Sequence, residues 1–166
     1  MNSYRKRDGF TLIEIMVVVA IIGILNVILA PNIRKVQLRT RYTTLINDFR
    51  VFEEAFQRYA IENNGWPANY NVKKRRTPKG MEDYLPPSWG FQTRSPVGGV
   101  YSFEVDKKQK GTKTTAVIRV RDLNQNKLNL DKKDIAVLDE MFDDGNIKTG
   151  RIRLGKGNDP IWIIEE

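Results

Sequence analysis

The sequence contains no cysteine and no histidine. Without cysteine the chain has neither a disulfide framework nor a thiolate metal site. Without histidine it lacks the commonest general base and the commonest zinc ligand in proteins. No serine, lysine or carboxylate pair stands in a sequence context typical of catalysis. We therefore expect a protein that is not an enzyme.

Positive charge exceeds negative charge. The sequence has 28 Lys and Arg residues and 20 Asp and Glu residues, which gives a net charge of +8 at pH 7. A net positive charge favours binding to anionic headgroups, nucleic acid or acidic proteins, but it does not distinguish among them. Four basic residues are consecutive from Lys73 to Arg76, within a connection rich in Pro and Gly. A solvated loop is the expected interpretation of this run, and a nucleic-acid contact is the alternative.

Strongly polar residues are scarce between Phe10 and Ala30, where Thr11, Glu14 and Asn26 interrupt an apolar run. A helix of that length rises about 30 Å, enough to cross the hydrocarbon core of a bilayer. The favourable insertion free energy of its apolar residues exceeds the cost of inserting one acidic side chain, which is about 2.5–3.5 kcal/mol even at the membrane midplane. We therefore predict a transmembrane helix over residues 10–31. Glu14 is either a positioning charge or an interfacial acid that reaches headgroup water.

The segment before this run, residues 1–9, is short, polar and basic. Such a leader favours the cytoplasmic side. A conventional secretory signal fits poorly, because the apolar run is longer than a normal h-region. Basic residues also follow the run, so charge bias alone does not fix the orientation.

A six-residue motif joins this leader to the apolar run: Gly9-Phe10-Thr11-Leu12-Ile13-Glu14. With the long apolar helix that follows, it resembles the class III signal of type IV pilins and type II secretion pseudopilins. The resemblance implies that a prepilin peptidase removes the leader peptide, residues 1–9, by cutting after Gly9. It also implies that the same enzyme N-methylates Phe10 and that Glu14 acts in assembly. The close match covers about the first 31 residues.

Two helix-weakening residues, Gly23 and Pro31, lie inside and at the end of the predicted membrane helix. In a helix interior Gly costs about 1 kcal/mol and Pro about 3 kcal/mol. Residue chemistry alone allows a simple kink at the membrane exit or a segment that extends when subunits pack. The family resemblance implies the second, a stretch from Gly23 to Pro31 that loosens in the filament.

From Asn32 the pattern becomes amphipathic, which predicts a continuation of the helix over residues 32–64. Apolar residues recur at three- and four-residue steps: Ile33, Val36, Tyr42, Leu45, Ile46, Phe49, Phe52, Phe56, Tyr59 and Ala60. Charged residues, Glu53 among them, fill the other positions. Asn63-Asn64-Gly65 ends the helix, and Pro67 prevents its resumption.

The remaining residues, 65–166, read as an extracytoplasmic α+β domain. Alternating apolar residues predict strands over 100–105 and 114–120, and a terminal hairpin over 152–154 and 161–164. Asp131 is the predicted N-cap of a short helix that ends near Phe142. We predict an α+β fold in which a long N-terminal helix packs on a mainly antiparallel, four-stranded sheet.

Oxygen-bearing side chains cluster where that short helix ends. Asp139, Asp143, Asp144 and Asn146 are calcium candidates, because calcium prefers oxygen ligands. The resemblance adds that some major pseudopilins bind calcium near the C-terminus. An acidic helix end without a metal is the expected interpretation, so we expect no cofactor and keep calcium as the alternative.

The resemblance implies a structural subunit, a pseudopilin or minor pilin, of a type II secretion pseudopilus or a type IV pilus. The absence of a disulfide favours these over a major pilin. Expected partners are the prepilin peptidase, other pilin or pseudopilin subunits and an inner-membrane assembly platform. The expected location is the bacterial inner membrane in a single pass, then a periplasmic or extracellular filament. The alternatives are a DNA-binding minor pilin that uses Lys73–Arg76, or a signal-anchored extracytoplasmic domain of other function.

Overall fold

The computed structural model describes residues 9–69, 77–89, 94–109, 112–123, 125–155 and 157–166. Of these, residues 28–32, 88, 106–109 and 112–114 are described for their backbone alone. The elements are helix α1 (Leu12–Asn63), a 3-10 turn (Pro87–Trp89), strands β1 (Val100–Gln109) and β2 (Thr112–Arg121), helix α2 (Lys132–Phe142), and strands β3 (Ile152–Leu154) and β4 (Pro160–Glu165). The predicted α+β class, with a long helix on a four-stranded antiparallel sheet, is confirmed.

Helix α1 ends where its sequence predicts. Asn64 has a positive φ of 53°, and the Gly65 N–H donates to the carbonyl of Ala60 at 3.0 Å. A left-handed residue directly after the last turn satisfies terminal carbonyls and stops the helix. The backbone is helical throughout Leu12–Asn63, including Gly23 and Pro31.

The chain divides into two compact units. We call residues up to Thr40 the N-terminal unit and Arg41–Glu166 the globular unit. Large apolar side chains of the N-terminal unit are exposed, and the predicted apolar face is exposed there too, at Ile33 and Val36. The buried face of α1 starts at Tyr42, where the helix has a sheet to cover. Among the described residues, no helix combines the length and apolar character needed to span a membrane.

The sheet has the order β1-β2-β4-β3, and every neighbouring pair is antiparallel. Strand β4 pairs with β3 as the predicted hairpin, and it pairs with β2 as well, so Ile118 and Ile152 both lie opposite Trp162. Helix α2 lies between β2 and β3 along the chain. The last strand therefore enters the sheet between two earlier ones and closes the fold.

Aromatic side chains of α1 pack against the inner face of this sheet. Phe56 stacks on Phe103 with ring centroids 3.9 Å apart, and Phe49 stacks on Trp162 at 5.7 Å. Phe52 meets Tyr101 edge-on at 4.7 Å. These rings are buried, so the aromatic residues on the predicted apolar face of the helix belong to the core.

Helix α2 begins with a capping box, as the predicted N-cap indicates. The Asp131 side chain accepts the N–H groups of Lys133 at 2.7 Å and Asp134 at 2.9 Å. The Asp134 carboxylate accepts the Asp131 N–H at 2.9 Å in return. Ile135, Leu138 and Asp139 are buried along its inner face.

Candidate functional site

The predicted cleavage junction, Gly9–Phe10, lies in open backbone just before α1. Phe10 is 84% exposed, and a Cβ added at Gly9 would meet no atom within 4 Å. A substitution at Gly9 would therefore disturb nothing in the described fold. Leader residues 1–8 lie outside the described residues.

Glu14 forms a capping box with Thr11 at the start of α1. Its Oε2 accepts the Thr11 N–H at 2.7 Å and the Thr11 hydroxyl at 2.8 Å, and the Thr11 Oγ1 accepts the Glu14 N–H at 3.3 Å. The other carboxylate oxygen, Oε1, accepts no hydrogen bond from any described residue. Glu14 thus caps its own helix through a single carboxylate oxygen.

Thr11 is a residue whose role our sequence analysis missed. A Thr followed three positions later by Glu, ahead of an apolar run, is the sequence signature of a capping box. Thr11 and Glu14 carry this signature, and the structure shows the capping box between them.

The proposed loosening stretch is helical from Gly23 to Pro31, and its side chains are described as far as Val27. A Cβ at Gly23 would meet nothing within 4 Å. The Asn26 amide donates to the Ile22 carbonyl at 3.0 Å, a bond within the same helix. The side chain of Pro31 lies outside the described residues, and loosening in a filament stays a prediction.

Three of the four calcium candidates come together at the end of α2. Carboxylate oxygens of Asp139, Asp143 and Asp144 lie within 4.8 Å of one another. Two of these residues also organise the turn that follows: Asp143 accepts the Ile152 N–H at 2.8 Å, and Asp144 accepts the Thr149 hydroxyl at 2.6 Å. We call Asp139, Asp143 and Asp144 the acidic cluster.

Asp139 distinguishes the acidic cluster from an ordinary acidic turn. Its side chain is fully buried, and neither carboxylate oxygen has a hydrogen-bond partner in the described structure. Burial, and then the charges of Asp143 and Asp144, raises the pKa of Asp139 to about 6. A buried carboxylate without donors is stabilised by a proton or a cation.

Asn146 has a different place in the same turn. Its side-chain oxygen accepts the Lys148 N–H at 3.2 Å, and its own N–H donates to Asp144 at 2.9 Å. These bonds shape the turn around the acidic cluster. Lys73–Arg76, the nucleic-acid candidate, lies outside the described residues.

Comparisons with known proteins point to the family that the N-terminal motif suggests. Residues 4–30 match the family described as the prokaryotic N-terminal methylation motif. The chain is 30% identical over 96 residues to type II secretion system core protein G of Pseudomonas aeruginosa, a match that covers 56% of this chain and 68% of that protein.

Two further relatives match over shorter regions. The chain is 36% identical over 67 residues to type II secretion system core protein G of Vibrio cholerae, covering 40% of this chain and 46% of that protein. It is 41% identical over 68 residues to a type IV wide pilus major component of Thermus thermophilus, covering 39% of this chain and 50% of that protein. The methylation motif, the capped N-terminal helix on its antiparallel sheet and these matches agree: the chain belongs to the type IV pilin and type II secretion pseudopilin family.

Proposed function

We propose that the chain is a structural subunit, a pseudopilin or minor pilin, that joins a type II secretion pseudopilus or type IV pilus through its N-terminal helix after leader cleavage. The observation that carries the proposal is the arrangement at the start of α1. An exposed Gly9–Phe10 junction precedes a capped helix whose large apolar side chains are exposed through Val27. Exposed apolar surface on that scale calls for a bilayer or for neighbouring subunits.

Cleavage after Gly9 would give Phe10 a new amine next to Thr11. The junction is open, so a peptidase can reach it without unfolding α1. The prepilin peptidase is therefore the first proposed partner. Gly9→Val should block processing, because a protease pocket fitted to hydrogen excludes a branched side chain. Intact mass tests this, and normal cleavage of Gly9→Val would contradict it.

Glu14 would then guide assembly. The Phe10 amine of an incoming subunit can pair with Glu14 of a subunit already in place. In an apolar environment this pairing avoids leaving either charge alone, which costs several kcal/mol. The free Oε1 can accept the amine while Oε2 stays with Thr11. Such a pair sets the axial register between subunits.

The test compares membrane-inserted with filament-incorporated protein at equal expression. Glu14→Ala should insert and be cleaved, yet fail to enter filaments, and Glu14→Asp should be intermediate because its carboxylate is one methylene shorter. Thr11→Ala is the matched control, since it removes the capping box and keeps the carboxylate. Normal incorporation of Glu14→Ala would reduce Glu14 to a helix cap. Equal defects in Thr11→Ala and Glu14→Ala would assign the effect to capping.

Before assembly, we propose, residues 10–31 hold the chain in the bacterial inner membrane and the globular unit lies on the extracytoplasmic side. An inner-membrane assembly platform would then pass subunits into the filament. The apolar sequence of residues 10–30 supports this location. Protease added to spheroplasts should digest the globular unit of the inserted chain, and protection would contradict the orientation.

A DNA-binding minor pilin remains the alternative from another functional class, and a signal-anchored domain of other function is the second. The first predicts salt-dependent DNA binding that is lost when Lys73–Arg76 are replaced by Ala. The second predicts a leader that stays uncut in a host that has the peptidase. We expect weak or no DNA binding at about 150 mM salt, since four clustered cations give at best a non-specific contact.

A second proposal concerns calcium, which the acidic cluster fits. Asp139, Asp143 and Asp144 would hold the ion, and the two orphaned oxygens of Asp139 are the observation that favours it. A bound cation would neutralise three converging carboxylates and tie the end of α2 to the turn before β3. Calcium should raise the melting temperature measured in EGTA, and Asp139→Asn should lose that response. Asp83→Asn, an exposed acid elsewhere, should keep it. No shift for the wild-type chain would contradict the proposal.

A further inference from the structure

A polar cavity of about 470 Å³ opens in the globular unit, away from the acidic cluster. Three cationic side chains line it: Arg41 from α1, Arg94 from the segment before β1, and Lys127 from the segment after β2. Ser95 and the amides of Asn126 and Asn129 add neutral donors. We call this cavity the basic pocket.

The main chain holds the two loops of the basic pocket together. The Gly99 N–H donates to the Lys127 carbonyl at 3.2 Å, and the Asn129 N–H donates to the Val97 carbonyl at 2.8 Å. Val97 is 3% exposed and belongs to the core. The backbone positions next to Arg94 and Lys127 are therefore set by the fold.

Gly98 makes this close approach of the loops feasible. Its φ is +80°, and a Cβ there would lie 2.2 Å from the carbonyl oxygen of Lys127. No side chain larger than hydrogen fits between the loops. The backbone conformation at Gly98 therefore fixes the distance between the two loops of the basic pocket.

The basic pocket carries positive charge without a matching acid. Among the described residues no carboxylate lines it, and the exposed side chains of Arg41, Arg94 and Lys127 form no salt bridge there. Like charges that converge on one cavity repel each other, and a bound anion would relieve that repulsion. The polar lining makes an apolar ligand unsuitable.

We propose that the basic pocket binds a phosphate-bearing anion. Guanidinium groups bind phosphate through two parallel hydrogen bonds, and a lysine adds a point charge. A phosphate monoester, with about −1.5 to −2 charge at pH 7, balances three cations better than a carboxylate does. A phosphodiester carries a single charge but offers a guanidinium the same pair of non-bridging oxygens. Binding of phosphate at this site goes beyond the proposed structural role.

The phosphate group has two sources of the same chemistry, an anionic phospholipid headgroup or a dissolved phosphate compound. Arg41 follows Arg34, Lys35 and Arg39 in the sequence, so it belongs to a basic stretch that begins directly after the apolar run. Titration with inorganic phosphate and, separately, addition of phospholipid to micelles distinguish the two sources.

Binding is measured on the full chain in neutral detergent, from the ³¹P line width and by calorimetry at constant ionic strength. The first arm titrates inorganic phosphate, with acetate as the carboxylate comparison. The second arm adds phosphatidylglycerol or phosphatidylcholine to the micelles. Variants are Arg94→Gln and Lys127→Gln, and the control is Lys79→Gln, an exposed cation outside the basic pocket.

We expect each pocket variant to bind about tenfold more weakly, the change that follows loss of one charge-assisted hydrogen bond. Lys79→Gln should bind as the wild-type chain does. Saturable binding of phosphatidylglycerol alone assigns the site to the headgroup, and binding of inorganic phosphate assigns it to dissolved phosphate. Absence of binding in both arms, equal weakening in Lys79→Gln, or acetate binding as tight as phosphate binding would overturn the proposal.

Discussion

The indole N–H of Trp162 donates to the carboxylate of Glu53 at 3.0 Å, across the contact between α1 and β4. Glu53 is 6% exposed and Trp162 is 3% exposed. Arg151 adds bonds of 3.1 and 2.8 Å to the two oxygens of the same carboxylate, and Gln57 adds one of 3.1 Å. A buried carboxylate with all these donors joins the helix to β4 and to Arg151, the residue directly before β3.

Replacing Glu53 should destabilise the globular unit. Glu53→Ala leaves the Trp162 indole N–H buried without an acceptor, a penalty of about 1–3 kcal/mol. Arg151→Ala is the matched control: it removes the half-exposed partner and leaves the Glu53 carboxylate bonded to Trp162 and Gln57, so we expect a smaller loss of stability than in Glu53→Ala. Urea unfolding followed by tryptophan fluorescence measures both values. Equal losses in the two variants would show that the Trp162 contact adds nothing of its own.

The globular unit should fold without the apolar N-terminal segment. A fragment that starts at Leu38 keeps the buried face of α1 from Tyr42 onward, so we expect a soluble domain with one cooperative melting transition. A fragment that starts at Phe49 lacks Tyr42, Leu45 and Ile46 and should not melt cooperatively, because it leaves the sheet partly uncovered. Circular dichroism and heat capacity distinguish these outcomes. A Leu38 fragment without a transition would disprove the boundary.

Two glycines with similar backbone angles should respond differently to alanine. Gly98 and Gly145 have φ values of +80° and +77°, but an added Cβ meets Lys127 O at 2.2 Å in the first and only Glu140 Cα at 3.9 Å in the second. Gly145→Ala should cost about 1–2 kcal/mol, from left-handed strain alone. Gly98→Ala should cost more, since the backbone must also move. Denaturation midpoints of both variants provide the measurement, and equal costs would refute the steric argument.

Stability should fall as pH rises through the titration of Asp139 when EGTA removes divalent ions. The pKa of this carboxyl is raised from 3.8 to about 6 by burial and by its acidic neighbours. A raised pKa means that the folded chain binds this proton more tightly than the unfolded chain does. The contribution of Asp139 to the free energy of unfolding is therefore complete below pH 3.8 and is lost as pH passes about 6. Asp139→Asn should flatten the profile in that window. Melting temperatures between pH 4 and 7 test it, and an unchanged profile would argue against it.

Local sequence chemistry determined the elements and the N-terminal motif. Three predictions depended only on neighbours a few residues away, and the structure confirms each of them. They are the end of α1 at Asn64–Gly65, the N-cap of α2 at Asp131 and the strand predicted from alternating apolar residues in β1. Strands β1 and β2 run longer than predicted, to Gln109 and from Thr112, because pairing between neighbours extends strands through polar residues. The processing motif from Gly9 to Glu14 is likewise readable from consecutive residues.

Tertiary structure alone decided which polar residues are buried and which distant ones meet. Glu53 was predicted on the polar face of α1, and this was wrong, since its partners Trp162 and Arg151 follow about a hundred residues later. Tertiary contacts also decided three other features. They are the place of β4 between β2 and β3, the burial of the Asp139 carboxylate without hydrogen-bond partners, and the presence of Arg41 and Lys127 in one cavity. Each depends on contacts between residues far apart in the chain, and hydrophobic periodicity carries no information about such contacts.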